Sequence, residues 1–236
     1  MTRQIVAMGG GGFSEEPDNP LLDDYVLGLV DKATPTVCFV PTASGDSEGY
    51  MRRFHAAFER RARTLVLPLF RREILDLDAF LREIDIIYVG GGNTANLLAL
   101  WRLHGLDQAI LRRPEIVLTG LSAGALCWFE AGISDSFGDM RPMRNGLGLV
   151  RGSLSVHYDS EALRRPSFHQ AIRDGLPAGF AADDGAALHF VDGELANVVT
   201  SRPAAGAYRV EVVEGAVVET ALASQYLGAR VKQVGA

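Results

Sequence analysis

The sequence predicts an α/β fold: a mostly parallel sheet with helices on both faces and antiparallel additions at the sheet edge in the C-terminal half. Three observations carry this expectation. Short β-type runs alternate with helical patterns through residue 130, as a parallel sheet covered on both sides requires. Glycine-rich loops close several of those runs. Beyond Ile133 the alternation gives way to short strand-like pieces joined by hairpin-type turns.

The elements follow in order. Gln4 to Met8 is a strand ending in four glycines, Gly9 to Gly12. Leu21 to Val30 is an amphipathic helix, opened by Asp18-Asn19-Pro20, where a capping residue precedes a proline. Thr36 to Val40 is a buried strand closed by Pro41 to Gly45, and a helix covers Met51 to Arg63. Strands at Leu65 to Leu69 and Ile86 to Val89 flank a helix at Asp78 to Ile84. Gly90-Gly91-Gly92-Asn93-Thr94 leads into a helix from Asn96 to His104, because Asn and Thr cap well and glycine permits the turn. Ile116 to Leu118 is the next strand, and Ala125 to Glu130 reads as the helix after it. Later strands are expected at Leu154 to His157, Ala187 to Val191, Val198 to Thr200 and Tyr208 to Val213, with turns at Asp192-Gly193 and Glu214-Gly215. No linker, repeat or low-complexity tract interrupts the chain, so residues 1–236 read as one domain.

Composition narrows the partners. Hydrophobic residues make up 47% and charged residues 22%, enough for a substantial core without staples. A net charge of −6 argues against a nucleic-acid or anionic-membrane partner. The arginines between Arg52 and Arg72 are interrupted by Glu59 and Glu73 and read as solvated surface. Cys38 and Cys127 sit in apolar runs, as buried thiols of a reducing compartment do. No signal-peptide pattern opens the chain, and the apolar stretch Ile116 to Phe129 is too short to span a bilayer. The expected location is the cytoplasm.

The chemistry concentrates at Gly120-Leu121-Ser122-Ala123-Gly124, a G-x-S-x-G turn between a strand and a helical run. Small residues around the serine allow a sharp turn that exposes its hydroxyl, and a helix N-terminus beyond it favours a developing oxyanion. Such a serine needs a base. Among the five histidines, His55, His104 and His169 read as surface helix residues. His157, where a strand meets a loop, is favoured by position over His189, which lies inside an alternating strand. Gly9 to Gly12 misses the last glycine of a dinucleotide loop, since Ser14 stands there, and reads instead as a flexible rim loop. In open α/β sheets the strand ends share one rim, so Gly9 to Gly12, Gly90 to Gly92 and the Ser122 turn should converge.

Together, the Gly90–Thr94 and Gly120–Ala125 motifs, about thirty residues apart, and a later strand ending in His157 resemble the S51 serine peptidases, the family of peptidase E and cyanophycinase. That resemblance implies a sheet like that of class I glutamine amidotransferases. It implies Ser122 as nucleophile, His157 as base, and the amides of Gly92 and Ala123 as oxyanion donors. The acid behind His157 aligns best with Asp184, where the family usually has glutamate; Asp135 and Asp159 are rivals. Gly91, Asn93, Arg164, Arg165 and Phe168 are the substrate-binding positions carried over. Phe168 stands where aspartyl dipeptidases place an arginine, which argues against strict Asp-Xaa specificity.

The expected activity is hydrolysis of short peptides through an acyl-enzyme, dipeptidase- or aminopeptidase-like, without metal or organic cofactor. The expected partner is a short peptide, with no nucleic acid and no membrane; a homodimer stays open. Two other readings remain. An α/β-hydrolase-type esterase would use Ser122, Asp159 and His189 in that order. A non-catalytic ligand-binding domain would keep the serine turn for its geometry alone.

Overall fold

A computed structural model describes residues 2–228. Strand β1 (Gln4–Met8) runs through the glycine loop into the one-turn helix α1 (Gly12–Glu15), then α2 (Leu21–Leu27). Strand β2 (Thr36–Val40) passes through a 3-10 turn (Thr42–Ser44) to α3 (Glu48–Phe58) and β3 (Arg63–Val66). Next come α4 (Leu77–Leu81), β4 (Ile86–Val89), α5 (Thr94–His104), α6 (Leu106–Leu111), β5 (Val117–Leu121) and the short α7 (Ala123–Leu126). The second half holds β6 (Phe129–Ser134), β7 (Arg141–Met143), β8 (Val150–Ser155), α8 (Arg164–Arg173), β9 (Gly179–Ala182) and β10 (Ala186–Val191). It ends with β11 (Glu194–Thr200), β12 (Ala207–Val213), β13 (Ala216–Ala221) and β14 (Gln225–Tyr226).

The strands form two sheets. The larger has the order β14-β11-β10-β1-β5-β4-β2-β3. Its five strands from β1 to β3 are mutually parallel, while β10 pairs antiparallel with β1 and β11 antiparallel with β10. Alternation along β1 sorts its neighbours: Ile5 and Ala7 join the apolar cluster that contains Leu97, Trp101 and Ile110 of α5 and α6. Val6 and Met8 face the opposite cluster, built on Phe13, Leu22, Phe54 and Phe58 of α1, α2 and α3. Successive side chains of a strand point to opposite faces, so both faces of the central strands are covered.

The second sheet, β13-β12-β9-β8-β6-β7, differs from expectation. Only β10 and β11 extend the main sheet as antiparallel additions; β9, β12 and β13 pair elsewhere. One face of this sheet contributes Phe129, Leu154 and Ala207 to the cluster under β1. The other, with Ala131, Ile133, Ala181 and Val210, is covered by Phe168 and Ile172 of α8. Both expected hairpin turns are present, with Asp192 and Gly193 at φ 51° and 87° and Glu214 and Gly215 at φ 51° and 81°. Positive φ at both central residues matches the right-handed twist of the flanking strands.

Several local expectations fail; β8 ends at Ser155 and leaves His157 in the loop, and α3 ends at Phe58 before Arg63 opens β3. The segment after Ser122 is helical only from Ala123 to Leu126, and Phe129 already belongs to β6. The apolar run Ala125 to Phe129 suits either element, and pairing with β8 decides it: the amides of Leu149 and Val150 both donate to the Trp128 carbonyl. The Gly9–Gly12 loop is not a loose rim. All four residues are buried, and the loop bonds to structure on both sides.

Candidate active site

Ser122 sits at the end of β5 with φ 54° and ψ −116°, a left-handed backbone that few non-glycine residues adopt. The motif glycines are there for close approach. A Cβ on Gly124 would lie 2.2 Å from the Val89 carbonyl oxygen, and one on Gly120 would lie 2.5 Å from the Gly124 oxygen. The Ser122 carbonyl accepts from Ala125 (3.0 Å) and Leu126 (2.9 Å), which starts α7, while its own amide donates to Met8 (3.2 Å).

His157 is anchored one residue along the same loop. Its amide donates to the Gly9 carbonyl at 3.1 Å, and its φ is 50°. The side chain is 13% exposed, and Nδ1 lies 2.6 Å from Asp184 Oδ1. That leaves Nε2 for the serine side. Among the described residues the Ser122 hydroxyl makes no hydrogen bond to the ring; contacts of this kind commonly tighten only when substrate binds.

Asp184 lies in the turn between β9 and β10, which the β1–β10 pairing brings alongside the glycine loop. Gly10 bridges Asp184, and the Gly185 amide donates to the Gly10 carbonyl at 3.0 Å. The Asp184 amide is held by Asp159 Oδ1 at 2.9 Å. Burial alone would raise the Asp184 carboxyl, but hydrogen bonds from His157 and Ser160 and the His157 charge hold it below the usual carboxylate range. For His157, burial disfavours the imidazolium, yet the Asp184 hydrogen bond and the charges of Asp184, Glu15 and Glu161 outweigh it and raise the ring above its ordinary value.

The remaining predicted positions fall into three groups. Gly91 stands beside the serine, where a Cβ would lie 3.4 Å from Ser122 Cβ; Gly92 follows it in the chain and packs on the Ala43 carbonyl, and Ala123 follows Ser122 directly. The Gly91 amide already donates to the Tyr50 hydroxyl at 3.2 Å. Gly92, in a loop, and Ala123, the first helical residue, have no intrahelical acceptor, and neither amide donates in the turn and loop hydrogen bonds of the described residues. The rival acids lie elsewhere. Asp159 supports the Asp184 amide, and Asp135 is a largely exposed carboxylate 3.8 Å from Arg164.

The carried-over substrate-binding side chains are already engaged within the fold. Phe168 is fully buried, packed with Ala131 and Ile133 of β6, Ala181 of β9 and Val210 of β12. Arg164 is 4% exposed, with Nε on Glu161 at 2.6 Å and Nη1 on the Ile133 carbonyl at 3.3 Å. Arg165 Nη1 bonds Glu219 at 2.6 Å, and its guanidinium lies over the Tyr158 and Tyr208 rings. Asn93 uses both ends of its amide: Oδ1 accepts from Asn96 as the cap of α5, and Nδ2 donates to the Ser136 carbonyl. No described hydrogen bond links Ser122, Asp159 and His189. His189 is 4% exposed, and its Nδ1 bonds the Tyr25 hydroxyl at 2.7 Å.

Sequence reasoning missed Glu15. Its carboxylate, His157 and Asp184 each offer a ligand-type atom within 4.8 Å of the others, so these three are the described side chains grouped closely enough to hold a cation, although His157 Nδ1 is engaged with Asp184. It also missed Glu219, which gathers Tyr158, Arg165 and His169 and so ties β13 to α8. Neither had a local signal, because Glu15 meets His157 and Asp184, and Glu219 meets Tyr158, Arg165 and His169, across long sequence separations. Among the described residues, no helix is long and apolar enough to cross a membrane.

Comparison with known proteins agrees with this architecture. The family model described as Peptidase family S51 matches residues 5–198. The chain is 50% identical over 235 residues to the uncharacterized peptidase YgaJ of Bacillus subtilis (strain 168), covering 96% of this chain and all of that protein. It is 37% identical over 112 residues to the uncharacterized peptidase Lin0382 of Listeria innocua serovar 6a, 45% of this chain and 52% of the other. A crystal structure of a peptidase from an acI-B1 Actinobacterium superposes with a TM-score of 0.70 at 19% identity, covering 95% of each chain. A putative peptidase E protein from Listeria monocytogenes EGD-e superposes with a TM-score of 0.61 at 20% identity, covering 83% of this chain and 98% of that one. The fold is thus that of the peptidase E-like proteins, and the chain belongs to peptidase family S51.

Proposed function

We propose that this peptidase is a serine-type exopeptidase that hydrolyses short peptides in the cytoplasm, with Ser122 as nucleophile, His157 as base and Asp184 as the acid behind it. The observation that carries the reading is the 2.6 Å bond from His157 Nδ1 to Asp184, with His157 bonded to Gly9 and the Ser122 turn, at φ 54°, bonded to the adjacent Met8. His157 Nε2 takes the Ser122 proton as the hydroxyl attacks the scissile carbonyl. Asp184 keeps the ring in the tautomer with Nδ1–H and stabilises the imidazolium. The amides of Gly92 and Ala123 receive the oxyanion, and the imidazolium returns its proton to the leaving amine. Water then hydrolyses the acyl-enzyme by the same route. The sequence of steps calls for no metal or organic cofactor.

The engaged state of both arginines supports a preference other than an N-terminal aspartate. Arg164 and Arg165 already hold Glu161 and Glu219, and the groups nearest His157 are acidic. A panel of Asp-Xaa and neutral Xaa-Xaa dipeptides, with aminoacyl nitroanilides, tests substrate choice. Ser122→Ala should lower turnover on the order of 10⁵–10⁶-fold and abolish labelling by a fluorophosphonate probe. Peptide hydrolysis unchanged in that variant would overturn the assignment.

A further inference from the structure

The glycine loop delivers a second carboxylate to the imidazole. Glu15 follows the loop on α1 and accepts from the Gly11 amide at 2.7 Å. A Cβ on Gly10 would lie 2.1 Å from Asp184 Oδ1 and 2.6 Å from Glu15 Oε2, so both carboxylates come together over the bare face of that glycine. Their oxygens and a His157 ring nitrogen all lie within 4.8 Å of one another. No cation pairs with Glu15 among the described ion pairs, whereas the adjacent Glu16 holds Arg202 and accepts from the Ser201 hydroxyl at 2.6 Å. Glu16 therefore pins the segment, and Glu15 is left to face the catalytic pair.

We propose that Glu15 is a positioning residue, a second acid whose charge, beside Asp184, favours the protonated form of His157 while its bond to the Gly11 amide fixes the loop that carries the site. The inference rests on the serine-peptidase reading given above. When Ser122 gives up its proton, positive charge forms on a ring flanked by Asp184 and Glu15, with Glu161 adding attraction from the turn that precedes α8. Arg202 acts on both carboxylates from the other side and is itself offset by Glu16 and Asp159. Glu15 is solvent-exposed overall, and partial burial of its carboxyl raises it, as does the Asp184 charge, while the Gly11 amide and His157 oppose that rise.

Glu15→Gln tests this, because the amide oxygen can still accept from Gly11 and only the charge is lost. His157 should become less basic. The acid limb of the kcat/KM profile should move to lower pH by about 0.5–1 unit, and kcat should fall roughly 3–10-fold with KM little changed. Glu15→Asp should restore part of the shift. In a Ser122→Ala background, where activity plays no part, the NMR titration of the His157 ring should move down with Glu15→Gln by a similar amount. Superimposable profiles and an unmoved titration would overturn the proposal. So would a raised KM with an unmoved acid limb, which would make Glu15 a substrate contact instead. If Ser122→Ala still hydrolyses peptides, the serine-peptidase reading fails first; if it is inactive and the Glu15→Gln titration stays put, only the role of Glu15 fails.

Discussion

Replacing Asp23 by asparagine should stabilise this protein at alkaline pH and leave it nearly unchanged in acid. Asp23 is 2% exposed on α2, beneath Gly12, where its Oδ1 accepts from the Tyr88 hydroxyl at 3.1 Å. Burial pushes its carboxyl from 3.8 up to about 7; the Tyr88 hydrogen bond and Arg61 oppose that, and Asp24 adds to it. The folded value lies above the unfolded one, so between these limits the native state keeps a proton that the unfolded chain has released. Stability from this group is therefore fully present below pH 3.8, falls as pH rises through 7, and is flat beyond. The displacement covers about three pH units at roughly 1.36 kcal/mol each, an upper bound of about 4 kcal/mol. Asparagine fills the same space and can still accept from Tyr88, so the variant should gain roughly 2–4 kcal/mol at pH 8 and at most about 1 kcal/mol at pH 4.5. Urea unfolding of both proteins at pH 4.5, 6 and 8 reads the difference, in which contributions from His157 and other unchanged groups cancel. Parallel stability curves for the two proteins would refute the reasoning.

Further outcomes can be checked together. Asp184→Asn keeps the contact to His157 but permits the wrong tautomer, so kcat on a neutral dipeptide should drop on the order of 10³–10⁴-fold with the circular dichroism spectrum unchanged. Gly124→Ala forces a methyl to within 2.2 Å of the Val89 carbonyl, and thermal unfolding should register a loss of roughly 3 kcal/mol. Glu219→Ala leaves Arg165, His169 and the Tyr158 hydroxyl without their shared acceptor, and should cost about 1–3 kcal/mol in a denaturant titration. Both cysteines are fully buried and their thiols are pushed up by burial, so native protein should react with neither Ellman's reagent nor iodoacetamide until unfolded.

The parallel half was legible because its signals are local. Strands β1, β2 and β4 coincide with the apolar runs Gln4 to Met8, Thr36 to Val40 and Ile86 to Val89, each ended by glycine or proline. The Ser122 turn announced itself through spacing alone. What stayed hidden depends on pairing at a distance. Strand β10 returns antiparallel beside β1 after a separation of about 180 residues, and only that pairing sets Asp184 against Gly10. The second sheet is assembled the same way, so Tyr208 to Val213 reads as an edge addition although β12 pairs with β9 and β13. Resemblance to a family, not periodicity, singled out Asp184. No pattern singled out Glu15, and the arginines near Phe168 looked available because their acidic partners lie three to fifty-four residues away.

Ser122 and His157 both hold left-handed backbone conformations as non-glycine residues. Each such residue costs on the order of 1–3 kcal/mol, which glycine would relieve at either position. On the serine-peptidase reading proposed above, selection for fold durability alone would drift toward inactive descendants here, and demand for turnover is what keeps a serine and a histidine at these two turns. Within this lineage, a copy released from that demand should lose its hydroxyl and imidazole early, outlasting its active sibling in heat while retaining the same two sheets.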